Sequence, residues 1–145
     1  MMKLTSPLFV NNGSFPERFT CDGEEVSPPL NISGVPDGTV SLALVLRDPD
    51  AVEGIFVHWI LWNIDPKTAE IKAGYAPDGA MFGKTTDGKL RYVGPCPPSG
   101  THRYIFSLYA LDTAIYLNEG DTVEQLDAAI SGHVLEETEL LAKYR

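Results

Sequence analysis

Between Gly94 and Asp112 the chain reads GPCPPSGTHRYIFSLYALD, and few folds can accommodate this stretch. Pro95, Pro97 and Pro98 fix φ and withhold three backbone donors, so the first half cannot join a sheet. The character changes at His102. Tyr104, Phe106, Leu108 and Ala110 fall on one side of a period-2 pattern, and Arg103, Ile105, Ser107, Tyr109 and Leu111 on the other. Both sides are largely apolar, which predicts a strand covered on both faces. His102 thus stands where a stiff loop meets a core strand. Such a place suits a pre-formed small-molecule site; a plain connecting loop with a rim histidine is the alternative.

Two further runs have the same character. VSLALVL, residues 40–46, follows the turn Pro36-Asp37-Gly38 and is apolar at nearly every position. FVHWILWNI, residues 56–64, alternates so that Phe56, His58, Ile60, Trp62 and Ile64 share one side. His58 is then a polar group on an apolar face and needs a hydrogen-bond partner or a ligand. Residues 7–10 and 15–20 read as short strands or extended edge segments around the turn Asn11-Asn12-Gly13. Residues 65–90 show no sustained period and predict a long surface loop with little regular structure, the kind that shapes binding sites.

Helix is expected only in the last third. Thr122 and Gln125 fit a capping box, Val123, Leu126 and Ile130 share a face, and Gly132 can end the helix. Residues 133–143 predict a second short helix with Val134, Leu135, Thr138 and Leu141 inward. Strands first and helices last give a mostly β fold: a sandwich of antiparallel or mixed sheets with one or two C-terminal helices. Residues 1–145 read as one domain.

The formal net charge of −9 argues against nucleic acid or an anionic membrane as partner, since both require a positive field. No apolar run approaches the ~18 residues of a membrane span. The start, MMKLTSPLFVNNGSF, does not read as a signal peptide, so a cytoplasmic location is expected. Cys21 and Cys96 form no C-x-x-C pair and read as reduced, partly buried thiols, with a bridge between them left open.

Asp48, His58 and His102 fall at the ends or rims of the three apolar runs, with Asp50 close to Asp48. If those strands are neighbours, one carboxylate and two imidazoles converge beside the proline loop. DPDAVEGIFVHWILWNI and GPCPPSGTHRYIFSLYALD resemble the two signature regions of the phosphatidylethanolamine-binding protein family, and more closely its prokaryotic, Raf-kinase-inhibitor-like branch. CDGEEVSPPL and GHVL are similar to that branch as well. The resemblance implies a β-sandwich with a small anion pocket at one end. Asp48, His58 and His102 would form its polar walls, Pro98 and the backbone at Cys96 its rim, and Tyr104 would point a hydroxyl inward. One departure is Val52, where the family usually has proline.

The expected function is therefore a binding protein for a small anionic or phosphorylated ligand. The resemblance also implies a kinase or protease as protein target, and a homodimer stays open. No cofactor is expected. The alternative is a metal-dependent enzyme with Asp48, His58 and His102 as a two-His-one-carboxylate set. A serine hydrolase has less support, because G-x-S-x-G is absent.

Overall fold

A computed structural model describes every residue from Met1 to Arg145. In chain order the elements are β1 (Lys3–Thr5), β2 (Gly13–Ser14), a 3-10 turn (Glu17–Phe19), β3 (Leu30–Ser33), β4 (Ser41–Asp48) and β5 (Phe56–Ile64). There follow β6 (Glu70–Ile71), β7 (Met81–Phe82), β8 (His102–Leu111), α1 (Val123–Ile130) and β9 (Val134–Tyr144). Six strands form one sheet in the order β2-β9-β8-β4-β5-β7; β1-β3-β6 form a smaller one. All pairs are antiparallel except β2 with β9.

The three apolar runs are β4, β5 and β8, with β4 central between the other two. Their double-sided apolar character has two causes. One face of the large sheet packs on the small sheet, through Leu44, Leu46, Phe106 and Leu108 against Leu4, Leu30 and Ile32. The other face is covered by α1, whose Leu126 and Ile130 meet Ala43, Val45 and Leu111. The helix begins as the sequence predicts: Thr122 Oγ1 accepts the Gln125 N–H, and Gln125 Oε1 accepts the Thr122 N–H.

Four expectations need correction. Residues 133–143 are not helical; Val134–Tyr144 is a strand. EETELLAK carries good helix formers, but β8 is buried and its outer ladder groups require a partner. Pairing along His102↔Tyr144 to Leu111↔Val134 satisfies them and buries Leu140 and Ala142, so tertiary context overrides local propensity. At the start, residues 7–10 form no strand, and 15–20 hold the 3-10 turn; the strands there are β1 and β2. The long loop 65–90 contains two short strands, β6 and β7. Finally, Cys21 and Cys96 are joined in a disulfide, with Cα atoms 5.5 Å apart, rather than being reduced thiols. The chain folds the proline loop directly onto Cys21, whose N–H donates to the Pro95 carbonyl at 3.1 Å.

The simple alternation of β5 also fails, and the reason bears on the site. Leu46 lies opposite Trp59 while Arg47 lies opposite Val57, so His58 is the extra residue of a β-bulge. A second irregularity lies between Leu42↔Ile64 and Leu44↔Leu61. Trp59, Leu61 and Ile64 therefore enter the core between the sheets, whereas Val57, Ile60 and Trp62 pack beneath α1. His58 does not share a face with Ile60 and Trp62.

Candidate functional site

Asp48 is the last residue of β4 and His102 the first of β8. Both are buried, and His102 Nδ1 donates to Asp48 Oδ2 at 2.7 Å. The second carboxylate oxygen, Oδ1, accepts the Asp50 N–H at 2.8 Å. Asp50 in turn clips the turn onto β8. Its Oδ2 accepts from Arg103 N and Nε and its Oδ1 from Arg103 Nη2, all at 2.9 Å. This fork, chiefly the hydrogen bond to the Arg103 side chain, holds the Asp50 carboxyl down at about 2.

The bulge in β5 brings His58 beside them. Its Nδ1 lies 2.7 Å from the Val93 carbonyl, which can only accept, so Nδ1 carries the proton. Nε2 has no partner in the protein and faces the cavity. Burial pushes the His58 pKa below its ordinary value, against the pull of the Val93 carbonyl and of Asp48. The ring is thus held neutral, with a lone pair presented inward. Tyr104, one alternation after His102, packs edge-on against His58 at 5.4 Å and parallel to His102 at 6.4 Å. Burial first, then the Asp48 carboxylate, raise its phenol well above the ordinary tyrosine value, so it stays protonated.

These groups open into one cavity of about 620 Å³. Asp48, His58, Cys96, Pro98, His102 and Tyr104 all line it, so the structure brings together every site residue expected from the sequence. The proline wall is anchored. Gly94 donates its N–H to Glu25 Oε2 at 3.1 Å, and the disulfide ties Cys96 to the loop at Cys21. Val52 and Ile55, 80% and 60% exposed, stand at the mouth. All peptide bonds are trans, that before Val52 included.

Asp48, His58 and His102 do not form a coordination set. No group of three or more His, Cys, Asp or Glu side chains is arranged to hold a metal ion. Both Asp48 oxygens are already engaged within the protein, one by His102 and one by the Asp50 N–H.

Sequence reasoning missed three contributors. Val93 orients His58 through its backbone, which no residue type signals. Arg103, the partner of Asp50, lies 53 positions further along the chain and carries no local signal of that pairing. Thr86 and Asp87, which also line the cavity, lie in a segment without any period.

A two-sheet β-sandwich with one helix and, where the ends of the central strands meet, a largely apolar cavity with a few convergent polar groups defines a small-ligand binding fold. The model of the phosphatidylethanolamine-binding protein family matches residues 5–145, and the chain belongs to that family. It is 46% identical over 149 residues to a UPF0098 protein of Methanothermobacter thermautotrophicus, with 99% of each chain covered. Among solved structures it is similar to the phosphatidylethanolamine-binding protein homologue CT736 of Chlamydia trachomatis. The TM-score is 0.96 at 38% identity, covering 99% of this chain and 97% of that one. It is also similar to YbcL of E. coli, described as a member of the mammalian PEBP family. There the TM-score is 0.92 at 26% identity, covering 99% and 98%. No helix is long and apolar enough to cross a membrane.

Proposed function

We propose that the cavity at Asp48, His58 and His102 binds a small phosphorylated group, and that the protein acts by binding rather than by catalysis. The observation that carries this is the unequal pair of imidazoles. His58 is fixed by Val93 as an acceptor toward the cavity. His102 instead turns its Nδ1 to the Asp48 carboxylate, the charge partner of an imidazolium, the form in which Nε2–H donates to an anion. One acceptor and one charge-assisted donor suit a phosphate monoanion, which offers both an O–H and an O⁻. They suit equally a phosphorylated headgroup that carries its own ammonium donor. Tyr104, held protonated, and the donor-poor wall of Cys96 and Pro98 complete the recognition by shape.

Val52 and Ile55 at the mouth offer apolar contact to whatever the phosphoryl group is attached to. In a family relationship that includes kinase and protease inhibition, a protein target would meet the same rim; that part rests on analogy of fold.

The test is calorimetric titration at constant pH with phosphate, phosphoethanolamine and sulfate. Saturable binding of the first two, weaker binding of sulfate, which has no O–H for His58, and a loss of at least about tenfold in His102→Ala are expected. No binding of any of the three at about 10 mM would end the proposal.

A further inference from the structure

Residues 91–94 run between two cavities. Val93 and Gly94 face the one described above. Arg91 and Tyr92 line a second, of about 240 Å³, with Glu25, Ser27, Trp59 and Tyr75. The adjacent His58 and Trp59 thus line one cavity each.

The second cavity contains unused hydrogen-bonding capacity. Trp59 is 2% exposed, yet its indole N–H has no partner in the protein. Trp62 Nε1 is the sole unpartnered side-chain N or O atom sealed from solvent. The Trp59 N–H is therefore not sealed from solvent, and Trp59 is one of the residues that line this cavity. Ser27 is 6% exposed, and its hydroxyl is likewise unpartnered and unsealed. Leaving two such groups dry would be costly, so they face water or a ligand.

Arg91 adds charge. Of the five arginines in the sequence, Arg18, Arg47, Arg103 and Arg145 pair with carboxylates. Arg91 does not, although the chain carries a net charge of −9. The walls around these donors are aromatic: Trp59 and Tyr92 meet edge to face at 5.5 Å, with Tyr75 exposed at the mouth.

Two neutral donors and a guanidinium over aromatic walls call for a planar, singly charged acceptor on an apolar body. A carboxylate matches the guanidinium fork. A phosphate dianion would meet the Glu25 carboxylate with twice the repulsion. The volume lies below the ~300 Å³ at which drug-sized sites begin, so it holds one residue-sized group. We propose that this cavity is a second binding site, taking a single aromatic or branched apolar residue through its carboxylate. Its source is a free amino acid or the C-terminal residue of a peptide.

The test follows the Trp59 indole N–H resonance by NMR. N-acetylphenylalanine, with its carboxylate, should shift it saturably. Phenylalaninamide should not. Arg91→Ala, an exposed change outside the first cavity, should weaken binding about tenfold, and His102→Ala should leave it unchanged while weakening phosphate binding at least about tenfold. Tighter binding of free phenylalanine than of the N-acetyl form would assign the site to an amino acid recognised also by Glu25. The reverse would assign it to a peptide C-terminus. No shift at about 10 mM ligand, an equal shift with the amide, or an unaltered affinity in Arg91→Ala would overturn the proposal.

Discussion

His102 Nδ1 lies 2.7 Å from Asp48 Oδ2, and both side chains are more than nine-tenths enclosed, so the end of β4 and the start of β8 are joined by a nearly dry contact. Removing one member leaves the other buried without its partner. His102→Ala should cost about 3 kcal/mol of stability, the lower end of the range for a broken buried pair, because Asp48 keeps the Asp50 N–H. Asp48→Asn keeps the shape and should cost about 1–2 kcal/mol. Urea denaturation measures both. The double variant should lose less than the sum, and strict additivity would show that the contact contributes no coupling.

The disulfide closes a loop between positions 75 apart and fastens the proline wall. On chain entropy alone such a loop contributes about 4 kcal/mol. Cys21→Ser with Cys96→Ser should therefore lower the Tm by many degrees, and a reducing agent should do the same to the wild type. Identical melting with and without reductant, after mass spectrometry has confirmed the bond beforehand, would contradict it.

Much of this fold was legible because burial leaves a mark on composition. β5 and β8 coincide with the runs 56–64 and 102–111, and the cap at Thr122 was readable from two residues. β9 was not, since Glu, Leu, Ala and Lys favour a helix locally and its strand state depends on β8, which lies far earlier in the chain. The members of the candidate site were visible as polar residues at the ends of apolar runs. Their tautomers were not: the carbonyl of Val93 decides that of His58, and a backbone group has no signature in sequence. The phase of β5 was hidden for a related reason. A bulge is set by pairing, and it moved His58 from the face alternation assigns to the one that meets Tyr104.

Gly94 gives a sharper probe of the wall between the two cavities. A Cβ there would come within 2.8 Å of both the Phe19 carbonyl oxygen and Glu25 Cγ. The backbone contact cannot yield cheaply. Gly94→Ala should cost about 1–3 kcal/mol by overpacking and should displace Glu25 from its hydrogen bond to the Gly94 N–H. Phosphate affinity should fall with it. A variant with native stability and native affinity would mean that the loop 19–25 moves freely.

The pH dependence of stability isolates His58. Its pKa in the fold lies below that of a free imidazole, near ~6.5, because burial opposes the charged form. The unfolded chain therefore binds a proton that the folded chain refuses. This contribution is intact above about pH 6.5 and is lost as pH falls from there toward the lower folded value, with a slope of at most about 1.4 kcal/mol per pH unit for one proton. Asp50 acts in the same direction but in a separate window, between 3.8 and about 2, where its bond to Arg103 is lost. Urea midpoints should thus fall between pH 7 and pH 5 before the carboxylates protonate. In His58→Asn, whose amide N–H takes the place of Nδ1 and can still reach the Val93 carbonyl, that part of the curve should flatten while the acid limb below pH 4 remains. An unchanged slope in His58→Asn would show that the ring does not resist protonation, and His58 would then meet the ligand as a donor rather than an acceptor.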